Sequence, residues 1–176
     1  MVYDEFLIKS LISRFDDWPA KGLNYIDLSR LVSNPKAFRM VIDALVHNYI
    51  DSSISRIVAI ETNALPFAST LAYSLNLPLS CVRKYQRSPE KWLKEAHNGF
   101  NYDALYIREG ECEKTDNVLL FDDVIATGNT ITTASALVRR SGAAISEICS
   151  IVALPDSGAI SQAQSLELNL FPLLSL

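Results

Sequence analysis

"VLLFDDVIATGNT", residues 118–130, is the stretch on which the fold turns. Val118, Leu119, Leu120 and Phe121 form an unbroken apolar run, as in a strand buried on both faces. Two carboxylates, Asp122 and Asp123, stand at its carboxyl end. Ala126, Thr127, Gly128, Asn129 and Thr130 then lead into "NTITTASALVRRSGA" (129–143), which has the periodicity of a helix with Gly142 near its C-cap. A strand that turns so tightly into a helix points unpaired N–H groups and the positive end of the helix dipole at whatever lies beyond the strand. Gly128 permits backbone geometry that other residues resist, and Thr127 and Thr130 add hydroxyl donors. An anion fits this turn, while the carboxylates accept hydrogen bonds from neighbouring hydroxyls. A phosphorylated sugar satisfies both halves. The plainer alternative is a strand that ends in two acids and a helix capped by threonines.

The same pattern continues outward. "RIVAIE" (56–61), "LPLSCV" (77–82) and "EICSIVAL" (147–154) are further short apolar strands, and "PFASTLAYSLN" from Pro66 is a helix between two of them. Strand and helix alternate, which predicts an α/β fold: a parallel sheet flanked by helices, binding ligands beyond the carboxyl ends of its strands. Upstream, "PKAFRMVIDALVHNYI" spaces Phe38, Ile42, Leu45 and Tyr49 along one helical face, with Asn34 as N-cap, Pro35 in the first turn and His47 in a structural role. Phe6, Leu7, Leu11 and Phe15 predict a first helix over Tyr3 to Phe15, followed by a loop over "WPAKGLNYIDLSRL" (18–31). "WLKEAHNGFNYDALYIREGE" (92–111) has mixed charge and reads as a loop or antiparallel flap.

With 176 residues, 49% hydrophobic and 20% charged, the chain suits one domain with a sizeable core. Its net charge of -4 gives no overall attraction to nucleic acid or to an anionic membrane. No apolar stretch approaches the length of a membrane helix, and neither export nor insertion is expected. Cys81, Cys112 and Cys149 form no CxxC pair, which fits a reducing cytoplasm without structural zinc. Cys81 and Cys149 lie in apolar strands and are expected in the core.

Apolar strand, paired acids, two apolar residues, Ala-Thr-Gly and a closing Thr together resemble the phosphoribosyl pyrophosphate (PRPP) signature of the type I phosphoribosyltransferases. The "WPAKGLNYIDLSRLVSNPKAFR" segment (18–39) and the closing "FPLLSL" are similar to the adenine branch of that family. The resemblance implies a single domain over 1–176, with an N-terminal hood of about 1–34, a core of about 35–176 and a flexible flap. It implies purine salvage, in which adenine displaces pyrophosphate from magnesium-bound PRPP to give AMP. Mg2+ would arrive with PRPP, so no metal-ligand set is expected on the chain, and a cytoplasmic homodimer follows.

By matching positions, the resemblance makes Asp122 and Asp123 the catalytic pair holding the ribose hydroxyls, with Asp123 also stabilising charge near the purine. Ala126, Thr127, Gly128, Asn129 and Thr130 cradle the 5′-phosphate. Arg83, Lys84 and Arg87 reach the pyrophosphate, where positioned cations meet charge that grows as the leaving group departs. Glu61, Thr62, Asn63 and Ala64 form the pyrophosphate loop, Leu23, Asn24 and Tyr25 contact the purine, and Asn101-Tyr102 occupy the flap. The bland alternatives stay open: a solvated charge run for 83–87, and simple core packing for Leu23 and Tyr25.

The chain departs from the family in three places. Ile26 stands where the family has Arg. Glu61-Thr62-Asn63-Ala64 replaces Asp-Ser-Arg-Gly, losing a guanidinium fork and putting Ala where Gly would be free to take unusual geometry. The flap carboxylate of the family's Glu-Tyr pair becomes Asn101, leaving Glu95 and Asp103 nearby, and His97 as a candidate proton shuttle. These departures keep two further functions in view: a related transferase for another purine, and a catalytically weak PRPP- or nucleotide-sensing protein.

Overall fold

The computed structural model describes residues 4–99 and 102–176. Tyr3 of the expected first helix and Asn101 of the expected flap pair lie outside the described residues. By its contacts the chain divides into two compact units, 1–50 and 51–176.

The first unit contains α1 (Glu5–Ser10), β1 (Ser13–Asp16), β2 (Asn24–Asp27), α2 (Ser29–Ser33) and α3 (Pro35–Tyr49). The helix expected to reach Phe15 stops at Ser10, whose hydroxyl donates to the Leu7 carbonyl at 2.7 Å. Phe15 belongs instead to an antiparallel hairpin, directly opposite Tyr25 and stacked on it with ring centroids 6.3 Å apart. Cross-strand pairing of aromatics outweighs a helical spacing that only happened to include Phe15. Ile8 is the buried residue of α1, while Phe6 is 84% exposed. The segment expected as loop over 18–31 holds β2 and α2, its turn closed by Gly22 at φ 87° with its N–H on the Asp17 carboxylate. In α3 the Asn34 side chain caps the Ala37 N–H at 3.0 Å as expected, but His47 is exposed rather than structural.

The second unit contains β3 (Arg56–Ile60), α4 (Leu65–Leu75), β4 (Leu79–Val82), β5 (Trp92–Gly99), β6 (Tyr102–Arg108) and β7 (Asn117–Ile125). It continues through α5 (Asn129–Ser141), β8 (Ala144–Ala153), α6 (Ala159–Ser165) and β9 (Leu170–Ser175). The sheet order is β4-β3-β7-β8-β9, with every neighbouring pair parallel. From β3 the chain passes to β4 on one side, and β7 then lies on the other, so the switch point falls between β3 and β7. A crevice for ligands opens there in sheets of this kind.

The core follows from the apolar runs: Val58, Ile60, Leu120 and Ile148 pack with Ile131, Leu137 and Val138 of α5. Cys149 is fully buried, but Cys81, on the edge strand β4, is only half-buried and not the core residue expected. Of the two readings of 92–111, loop or antiparallel flap, the structure shows the second: β5 and β6 pair antiparallel and continue onto the sheet where Arg83 and Tyr106 exchange backbone hydrogen bonds of 2.7 and 2.8 Å.

Candidate active site

Three strand ends converge on the carboxyl edge of the sheet. β7 runs beyond the acids to Ile125, so Asp122 and Asp123 sit on opposite faces of a continuing strand. The Asp122 carboxylate, 8% exposed by residue, accepts the Asp123 backbone N–H at 3.0 Å. Burial, and next the neighbouring Asp123 charge, hold Asp122 well above the usual carboxylate range. Burial raises Asp123 too, and the Lys84 ammonium opposes the rise at both acids. Such a pair is short of hydrogen-bond donors.

The following turn is shaped around Gly128. Its φ is 81°, and a Cβ there would lie 2.6 Å from the Gln162 Cβ of α6. Both the left-handed backbone and the close approach require glycine. Gln162 also donates to the Thr132 hydroxyl at 2.8 Å, seating α6 against the start of α5. Asp122, Ala126, Thr127, Gly128 and Thr130 line a cavity of about 110 Å³ at this helix N-terminus. Asn129, the first residue of α5, has its N–H 3.5 Å from the Thr127 hydroxyl.

Cations gather at the end of β3 and β4. The Glu61 side chain, 2% exposed, accepts from the Arg83 guanidinium at 2.7 Å, stands 3.7 Å from Arg87 and accepts the Lys84 backbone N–H at 3.4 Å. Arg87 in turn lies over the Tyr85 ring at 4.7 Å. Glu61 therefore organises the basic segment, a role its sequence position alone did not announce. Ala64 is buried at φ −65°, ψ −27°, ordinary helical geometry at the start of α4, so the expected strain from replacing Gly does not arise. Thr62 and Asn63 are exposed on the turn.

The flap joins the two halves. The Lys84 ammonium lies 4.8 Å from the centre of the Tyr102 ring, which neighbours Thr130. Of the replacement flap acids, Glu95 is taken by Arg140 at 2.6 Å and Asp103 is exposed. In the first unit, Leu23 and Tyr25 are 38% and 37% exposed, Asn24 is exposed at the start of β2, and Ile26 is buried on the opposite face. Where the family's Arg would stand, this strand turns an apolar side chain inward. Among the described residues no three His, Cys, Asp or Glu side chains cluster to hold a metal.

The residues the sequence singled out in the second unit thus meet at one sheet edge: Asp122, Asp123 and 126–130 on one side, Glu61, Arg83, Lys84 and Arg87 on the other. His97, singled out in the sequence as a candidate proton shuttle, builds around them with Thr133 and Gln162, which carry no sequence signal beyond polar residues in apolar surroundings.

Comparison with known proteins gives the same picture. The phosphoribosyl transferase domain model matches residues 28–167. An adenine phosphoribosyltransferase from Marinomonas sp. is 40% identical over 98% of this chain and 97% of its own. Among solved structures, the Giardia lamblia enzyme complexed with 9-deazaadenine is 25% identical with a TM-score of 0.90, covering 96% of each chain. The Saccharomyces cerevisiae adenine phosphoribosyltransferase, solved with an iminoaltritol bisphosphate and adenine, is 26% identical with a TM-score of 0.85 over 96% of this chain and 97% of its own. With matches of this extent, on a parallel sheet whose edge carries paired acids, a glycine-shaped helix N-terminus and a clamped cation cluster, the chain belongs to the adenine phosphoribosyltransferases of the phosphoribosyl transferase family.

Proposed function

We propose that the protein transfers the phosphoribosyl group of PRPP to adenine, giving AMP and pyrophosphate. One observation carries this reading: the switch point between β3 and β7 places two donor-hungry acids and an anion cradle on one side and a clamped set of cations on the other. A ribose bearing phosphate at one end and pyrophosphate at the other matches that order of charges.

The roles follow from the chemistry. N9 of adenine bonds to the anomeric carbon as the bond to the pyrophosphate oxygen breaks, the bonding electrons leave with pyrophosphate, and the purine releases its proton. Thr127, Gly128, Asn129 and Thr130, with Ala126, hold the 5′-phosphate at the head of α5. Asp122 and Asp123 accept the ribose hydroxyls and fix the sugar. Arg83, Lys84 and Arg87 face a group that gains charge as it leaves, so they stabilise the transition state more than the ground state. Mg2+ enters as part of the PRPP substrate and shields its pyrophosphate. Leu23, Asn24 and Tyr25 contact the purine, and Tyr102 covers the sugar phosphate. The chain serves as one phosphoribosyltransferase domain, as a homodimer in the cytoplasm.

The exposed Asn63 favours one second reading, a PRPP-binding protein with little turnover, because an amide cannot make the charged bidentate contact of a guanidinium. Nucleotide formation with magnesium and PRPP, offering adenine, hypoxanthine, guanine and xanthine separately, distinguishes them. AMP from adenine alone is the expected result. Turnover of another base instead would make the protein a sister transferase, and PRPP binding without turnover a sensor.

A further inference from the structure

Resting on that reading, we propose that His97 is a positioning residue for the transfer: its imidazole ties the flap tyrosine Tyr102 and the first turn of α5 together, so that the phosphate cradle and its cover are set as one piece.

His97 lies on β5 and is 6% exposed. Its Nδ1 is 2.9 Å from the Thr133 hydroxyl, and that hydroxyl is 3.2 Å from the Asn129 carbonyl. A carbonyl only accepts, and a threonine hydroxyl has one proton. Every partner is satisfied when Thr133 donates to Asn129 and His97 donates from Nδ1 to Thr133. The face of the same ring stacks on Tyr102, with centroids 4.8 Å apart and planes 12° from parallel. The Tyr102 side chain neighbours Thr130, and Lys84 lies over its ring. Asn129 of the cradle is thus joined through Thr133 to the same imidazole on which the flap tyrosine stacks.

The geometry weighs against His97 as a proton shuttle. Its Nδ1 is committed, and burial, with the Lys84 charge second, lowers its pKa. The docking of β5 does not depend on it. Arg140, seven residues beyond Thr133 on the same face of α5, donates to the Lys94 carbonyl at 2.7 Å and to Glu95 at 2.6 Å. Removing the imidazole therefore leaves the strand fastened and frees only Tyr102 and the first turn of the helix.

The test is steady-state kinetics of His97→Leu, which loses both contacts, His97→Phe, which keeps the ring, and His97→Asn, which keeps a donor near Nδ1. His97→Leu is expected to lower kcat/KM for PRPP on the order of tenfold with KM for adenine unchanged, and Phe and Asn each to recover part of the loss. Thr133→Val should resemble His97→Phe. In the double variant His97→Leu/Tyr102→Leu the losses should not multiply, because both substitutions break the same contact. A wild-type kcat/KM for PRPP in His97→Leu, or losses that multiply, overturns the proposal while leaving the transferase function intact. Should the wild type make no nucleotide, calorimetric titration with magnesium–PRPP decides: weaker binding by His97→Leu supports the positioning role and equal binding overturns it.

Discussion

Two buried carboxylates, one just before β7 and one near its carboxyl end, have opposite fates. At the amino end, Asp116 accepts from Arg56 at 2.6 Å, from the Ser55 hydroxyl at 3.3 Å and from the Glu113 backbone N–H at 2.7 Å. Burial raises its pKa, but the Glu113 N–H and Arg56 outweigh it and the net shift is downward. At the carboxyl end, Asp122 has one backbone N–H at 3.0 Å, a like charge beside it and a pKa well above the usual range. Both residues are under a tenth exposed, but Asp116 has a guanidinium and further donors, whereas the Asp122 carboxyl is more deeply enclosed and has a second carboxylate beside it. Asp116 has its partners within the protein, and Asp122 has the perturbed pKa that the proposed sugar site calls for.

The largest effect expected from this contrast is on chemistry. Asp123→Asn should cut nucleotide formation by about 10²- to 10³-fold while leaving adenine binding nearly untouched, since the loss falls on sugar contacts that matter most in the transition state. Comparable activity in wild type and variant would remove Asp123 from the site. At the other end, Asp116→Asn should cost about 3 kcal/mol of stability, because it leaves the Arg56 guanidinium buried without its counter-charge. Specific activity of the folded fraction at 25 °C should be unchanged, and a loss of turnover without a loss of melting temperature would break the comparison.

The two ends should also respond to pH with opposite sign. Asp116 has its pKa lowered by folding, so its stabilisation is present above the unfolded carboxylate pKa of about 3.9 and is lost as the pH falls. Asp122 has its pKa raised, so it favours the folded state in acid, and that contribution is lost as pH rises from about 3.9 through the folded value. Melting temperatures of unliganded Asp122→Asn should therefore gain on wild type as pH rises from 4 to 8. The deficit of Asp116→Asn should stay nearly level over that range and shrink only as pH falls below about 4 toward the lowered folded pKa. Parallel curves for the two variants would show that the acids share one environment.

How much of this was visible in the sequence depends on how local the cause is. The strand 117–123, which the structure extends to Ile125, the turn 126–130 and the helix after it are written in adjacent residues, apolar run then acids then Gly-containing turn, and the fold follows from that alternation. The hairpin of β1 and β2 is not, because its strands are four residues each and are decided by the pairing of Phe15 with Tyr25 across a turn. The closing strand β9 gave only a family likeness, since Pro172 interrupts its apolar run. At the site, acids and hydroxyls were legible because the chemistry needs those residue types. The grip of Glu61 on Arg83 and the seat of His97 on Thr133 span 22 and 36 residues and exist only in three dimensions.

The smallest effect expected is also the one that sharpens the comparison most. If the carboxyl edge is left deficient in partners for a ligand to supply, its cation side should still have room for another charge. Asn63 is exposed on the turn after β3, and the neighbouring Ala64 has ordinary helical geometry, so Arg fits at position 63 without disturbing the backbone. Glu61 holds Arg83 firmly but reaches Arg87 only at 3.7 Å, and Arg87 is half exposed, so the cluster is only partly neutralised before substrate arrives. Asn63→Arg should lower KM for PRPP by roughly three- to tenfold, a range set by a charge-assisted contact weakened by solvent. KM for adenine should not move, and added salt should erode the gain because the new charge is exposed. An unchanged KM for PRPP would mean that Arg83, Lys84 and Arg87 already saturate the pyrophosphate. The carboxyl edge would then be deficient on its acid side alone, with the cation side as complete in itself as the Arg56–Asp116 pair at the strand's other end.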